Sequence, residues 1–132
     1  MYFADSLKRI VWMYDFDLQN GEIENRREFL TISEEDGLPD GATVDAEGFV
    51  WIAHMRGGKV KRYDPHAKEE REIKFPVSLT SCPAFGGANL STLYVTTASS
   101  LFNAADFTRE PEAGSLFAVE TDVKGIPEPV YG

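Results

Sequence analysis

Residues 41–64 read GATVDAEGFVWIAHMRGGKVKRYD, and this stretch decides the fold. Three short apolar or alternating runs are separated by two glycine turns. Asp45-Ala46-Glu47-Gly48 has the chemistry of a hairpin, with glycine at the left-handed position. Gly57-Gly58 makes the second turn. The pattern predicts a four-stranded antiparallel unit. Strand a covers about 41–45, strand b 49–55, strand c 59–64 and strand d 70–75.

The same unit recurs on either side. Tyr2-Phe3-Ala4-Asp5, Val50-Trp51-Ile52-Ala53 and Leu93-Tyr94-Val95-Thr96 share one strand pattern, with Tyr2, Trp51 and Tyr94 standing 49 and then 43 residues apart. A second pattern follows each: Val11 to Asp15, Val60 to Asp64, and Leu116 to Glu120. Its last spacing is longer because residues 99–114 insert a loop. A period of ~40–50 residues carrying several short strands marks the blades of a β-propeller. Blade boundaries follow at 1–34, 35–78 and 79–132. The first repeat opens directly on its strand b, so its strand a is expected upstream of Met1. The fourth strand of the last repeat is doubtful, because residues 123–131 carry two prolines. The expected fold is therefore all-β: about two and a half blades of a propeller.

Composition narrows the function classes. The 132 residues are 42% hydrophobic and 27% charged, which suits a globular domain. The net charge is −9, and no basic cluster offers a footprint for nucleic acid or an anionic membrane. The single cysteine, Cys82, excludes an intramolecular disulfide and a cysteine-based zinc site. No apolar run reaches membrane-spanning length and no secretory signal is present, so a cytoplasmic location is expected.

The ordered set of motifs goes further than a generic propeller. It comprises DGLPDG at 36–41, VDAEG at 44–48, WIA at 51–53, GGKV at 57–60 and RYDP at 62–65. TSCPAFGG at 80–87, TLYVTTA at 92–98, PEAGSLF at 111–117 and VKGIPEPVYG at 123–132 continue it. In this order the motifs resemble the C-terminal part of the regucalcin/gluconolactonase family. The resemblance implies a six-bladed propeller, a sugar lactone as substrate and one divalent metal ion in the channel. Calcium or zinc is implied first, with magnesium and manganese as further candidates. It implies three ligands: a Glu and an Asn that would lie upstream of Met1, and the Asp of the PDG motif, which is Asp40. The missing N-terminal blades of the same propeller are the implied partner.

Without the resemblance, Asp40 has two readings. Between Pro39 and Gly41 it is ordinary turn chemistry. It is also an acid at the start of an inner strand, where it can face a channel. A carboxylate there suits a hard cation, or it acts as general base on a water that attacks a lactone carbonyl. Residues 36–47 are not an EF-hand loop, because Leu38 occupies the third position and strands follow.

Other polar residues have plainer readings. His54 reads as a packing or exposed residue rather than a ligand, and His66 as a solvent-facing turn residue. Ser81-Cys82 approaches the channel mouth, with Cys82 read as a small buried residue. Asp15, Asp64 and Glu120 close turns. Residues 33–36 read as surface loop and residues 68–72 as a solvated face. The 99–114 insertion reads as a lid or a long loop. The leading expectation is a metal-dependent sugar lactonase, and the rival is a non-catalytic propeller binding module.

Overall fold

The computed structural model describes residues 1–100 and 102–128. Strands β1 (Tyr2–Asp5), β2 (Ile10–Phe16) and β3 (Ile23–Thr31) form the first antiparallel sheet. Strands β4 (Leu38–Val44), β5 (Val50–Met55), β6 (Lys59–Tyr63) and β7 (Glu69–Lys74) form the second. Strands β8 (Thr80–Gly86), β9 (Thr92–Thr97) and β10 (Leu116–Glu120) form the third. Each sheet is a meander in chain order, and the edge strand β4 lies against both β1 and β8. This is a partial β-propeller.

The central strands β5 and β6 of the middle sheet are buried on both faces, and β5 shows why its run is almost wholly apolar. Val50 and Ile52 join Val11, Phe29, Ile32 and Tyr63 in a cluster against the first sheet. Trp51 and Ala53 join Val60, Leu93, Val95 and Val123 in a second cluster against the third sheet. Alternation therefore feeds two cores instead of one core and solvent.

Burial on both faces also traps polar groups, and these are paired. Asp45 is fully buried at the start of the β4–β5 turn. Its carboxylate accepts from Trp51 Nε1 at 2.8 Å, Arg62 Nε at 2.8 Å, and the backbone amides of Glu47 and Phe49 at 3.0 Å each. The Arg62 guanidinium lies 3.8 Å from the Phe49 ring centre and reaches Glu47 and Glu70 as well. Three acids on one buried cation satisfy its donors in geometry that isolated burial would not allow.

Two sequence expectations change here. Strand a begins at Leu38 rather than near Gly41, because Leu38 and Pro39 pair with Met55 and His54 ahead of a bulge. The acids of the 68–72 run are not simply a solvated face, since Glu69 and Glu70 neutralise the buried Lys61 and Arg62.

The insertion in the third sheet carries a short helix, α1 (Ala104–Arg109), started by an Asn103–Asp106 capping box. Beyond β10 the chain leaves its own sheet. Gly125 bridges Asp45, and Ala46 donates to the Lys124 carbonyl at 2.8 Å, so residues 123–125 tie the third sheet to the second. No fourth strand of the third sheet occurs among the described residues. Residues 129–131 of that expected strand lie outside the described residues.

Candidate site at Asp40

Asp40 owes its position to a bulge. Pro39 pairs with His54 and the ladder resumes at Ala42 with Ile52, so Asp40 and Gly41 together oppose Ala53. A two-against-one mismatch bends the strand and re-aims the extra side chain. Gly41 is required in that bend. A Cβ on it would lie 2.6 Å from Cys82 Sγ and 2.8 Å from Cys82 Cα, so β4 and β8 touch at this point with no room for a side chain.

On the other side, Asp40 lines a cavity of about 190 Å³ with Tyr2, Phe3, Ala4, Val11, Ala42 and Ile52. That lining is mostly apolar, and burial pushes the Asp40 carboxyl above its ordinary pKa. Among the described residues no cation, hydroxyl or amide is hydrogen-bonded to it. The carboxylate is thus half-buried, destabilised as an anion, and uncommitted.

The corner that leads into β4 is built in the opposite way. Asp36 ends a 3-10 turn at Glu34–Asp36, started by Ser33, whose hydroxyl accepts from the Asp36 amide. The Asp36 carboxylate accepts from Lys59 Nζ at 2.6 Å and Lys61 Nζ at 3.1 Å. The Lys59 hydrogen bond is the main reason its pKa falls to about 2. Residues 33–36 are therefore more than surface loop. Arg9, from the first sheet, donates to the Gly37 carbonyl at 2.5 Å. Thr80, fully buried at the start of β8, donates toward the carbonyls of His54 and Lys59, each at 3.0 Å. All three sheets are thereby pinned around the approach to Asp40.

His54 is fully buried within this corner. It is a packing residue, on the face it shares with Ile52. Its Nδ1 lies 3.1 Å from the Asp36 carbonyl oxygen and its Nε2 3.1 Å from Tyr63 Oη. A carbonyl only accepts, so Nδ1 carries the proton and Tyr63 donates to Nε2. Burial lowers the His54 pKa to about 4. The neutral ring is not aimed at Asp40. His66 is exposed in its turn.

Cys82 corrects its sequence reading: the residue is exposed, not buried. Its sulfur nevertheless sits against Gly41, and partial burial followed by the Asp40 charge raises the thiol pKa. It is no activated nucleophile. Ser81 bonds Thr96 at 2.8 Å. None of the described residues of the insertion lines the Asp40 cavity. Glu110 beyond α1 accepts from the Ser78 amide at 2.6 Å and its hydroxyl at 3.0 Å, seating the insertion on the β7–β8 connection.

A divalent ion fits Asp40 as one donor among several. The carboxylate is a hard oxygen ligand with no competing cation, in surroundings that disfavour its lone charge. Among the described residues no group of three His, Cys, Asp or Glu converges to hold a metal. Asp36 was not singled out from the sequence, nor was the Asp45–Arg62 pair. The available signal was strand c itself: Lys61 and Arg62 on a strand buried on both faces demand acids on the strands around it.

Sheets stacked face to face with their edge strands together define the class: a partial β-propeller. The chain belongs to the SMP-30/gluconolactonase/LRE-like family, whose model matches residues 1–99. It is 41% identical over 132 residues to regucalcin of Oryctolagus cuniculus, covering 98% of this chain and 44% of that protein. It is 42% identical over 127 residues to human regucalcin, covering 95% and 42%. Among solved structures, a calcium-binding protein, regucalcin, from Agrobacterium tumefaciens superposes with a TM-score of 0.93 at 32% identity, over 99% of this chain and 45% of that one. A luciferin-regenerating enzyme gives 0.84 at 34% identity, over 96% and 43%. The chain thus spans less than half the length of these relatives. Among the described residues no helix is long and apolar enough to cross a membrane.

Proposed function

We propose that this chain contributes the Asp40 carboxylate to a metal-dependent sugar-lactone hydrolase. The observation that carries the reading is the state of Asp40: lifted out of the ladder by a bulge, facing a cavity, and without a Lys or Arg partner among the described residues. A structural acid in this fold looks different. Asp45 and Asp36 are both saturated with donors. Calcium is the favoured ion, since the donor is a carboxylate oxygen and a structural relative is described as calcium-binding. The remaining ligands come from outside the described residues.

A sugar lactone is a cyclic ester, opened when water adds to its carbonyl and the ring oxygen leaves. A bound divalent ion supplies polarisation of that carbonyl. Asp40 has two roles open to it. It holds the ion, or it takes the proton from the attacking water and returns it to the leaving ring oxygen. Its raised pKa makes it a better proton acceptor than an exposed aspartate. The apolar cavity wall strengthens either interaction by excluding water.

The test is hydrolysis of an aldonolactone by the full-length protein with Asp40→Asn. Loss of most of the rate, with the fold intact, supports the reading. An unchanged rate and unchanged metal dependence reject it. A non-catalytic binding module is the second reading, favoured by the lack of a three-donor cluster among the described residues. Metal binding that depends on Asp40, without lactone hydrolysis, would select it.

A further inference from the structure

We infer that His54 is the positioning residue for Asp40, holding the bulge through the carbonyl of Asp36. This rests on the reading of Asp40 as the ion-holding carboxylate, though its structural part stands apart from that reading.

Asp40 is fixed by the backbone around it. Its side chain has no polar partner among the described residues, so its direction is set by backbone alone. The last ladder pair before the bulge is Pro39 with His54. Ahead of the bulge β4 has one further pair, Leu38 with Met55, so the ladder on that side is only two residues long. The corner ahead of it must therefore be held by other contacts. His54 supplies two at once: Nδ1–H to the Asp36 carbonyl and Nε2 to the Tyr63 hydroxyl, both at 3.1 Å. Lys59 and Lys61 hold the Asp36 side chain and Arg9 holds the Gly37 carbonyl. Beside the Leu38–Met55 ladder pair, the His54 side chain ties the middle of this corner to the strand facing the bulge.

The choice of histidine follows. An apolar side chain of similar size would leave the Asp36 carbonyl and the Tyr63 hydroxyl without their partner in a buried place. The corner would rotate to find water, and Asp40, four residues on, would turn with it. A merely structural role predicts lower stability with Asp40 unmoved. A positioning role predicts that Asp40 moves and ion affinity falls.

The experiment uses the full-length protein that contains this chain, with Mn²⁺ as the probe ion, read by paramagnetic broadening and by the backbone amide shifts of residues 40–42. His54→Leu should displace the amides of Asp40 and Gly41 and weaken Mn²⁺ binding roughly tenfold, while His54→Gln, which keeps a donor and an acceptor, stays within about twofold of the parent. Unchanged amides and unchanged affinity in a folded His54→Leu chain overturn the inference. Should the leucine variant not fold, His54→Asn against His54→Gln decides: asparagine is too short to reach Asp36, so equal amides in the two overturn it. An Asp40→Asn chain that binds Mn²⁺ like the parent sinks the metal reading instead, and the amide displacement alone then decides the role of His54.

Discussion

Gly41 and Cys82 meet so closely that a methyl group on Gly41 would sit 2.6 Å from the cysteine sulfur and 2.7 Å from its Cβ. The second and third sheets are in contact at the residue next to Asp40. Gly41→Ala must push β8 away or flatten the bulge, and overpacking of this kind costs about 1–3 kcal/mol. Cys82→Ala should not rescue it, because the Cys82 Cα is itself only 2.8 Å from the added methyl. Urea unfolding of the single and double variants checks both statements.

Acid should weaken the fold in two stages. His54 has a folded pKa of about 4 against an ordinary value of 6.5. The unfolded chain therefore takes up a proton that the folded chain refuses, and stability falls as pH drops from about 6.5 to about 4. The loss approaches about 3 kcal/mol at the lower limit. Asp36 continues the trend, since its lowered pKa keeps it ionised in the fold until about pH 2. Its contribution is lost from its ordinary 3.8 down to that value. Unfolding midpoints from pH 7 to pH 3 should decline throughout, and His54→Gln should flatten the upper stage only.

Arg62→Met should destabilise by about 3 kcal/mol, because Asp45 would remain buried with its charge no longer matched. Arg62→Lys should restore little. Lysine cannot serve Asp45, Glu47 and Glu70 together from one point charge. Thermal melts of the two variants provide the comparison.

Asp40→Asn should leave the chain at least as stable as the parent at neutral pH. A carboxyl whose folded pKa is raised carries its charge at a cost, and that cost is present above the ordinary pKa. A clear loss of stability in the asparagine variant would mean that Asp40 has a structural partner.

The fold was legible because its signals are local. Glycine turns at 48 and 57–58 and the alternation of β5 lie within single hairpins, and the middle sheet follows them closely. The bulge was not legible. It depends on Gly41 meeting Cys82, residues far apart in the chain, and on a register set by neighbouring sheets. Asp45 resembled a turn residue and Asp36 a surface-loop residue for the same reason, since their partners lie on strands b and c. Cys82 was misread because the outer face of the third sheet is open in this chain, so a β8 residue expected inside is exposed. The position of Asp40 was visible from its motif, whereas its lack of partners became visible only once the sheets were placed.

Where a divalent ion goes decides the role of Asp40. Mn²⁺ titrated into the ¹⁵N-labelled full-length protein should broaden the amides around Asp40 first and saturably, and Asp40→Asn should abolish that pattern. Broadening that instead centres on the exposed acids Asp15, Asp17, Glu22 and Glu24, or that persists around residue 40 in the asparagine variant, would contradict the assignment of Asp40 as the ion-holding carboxylate.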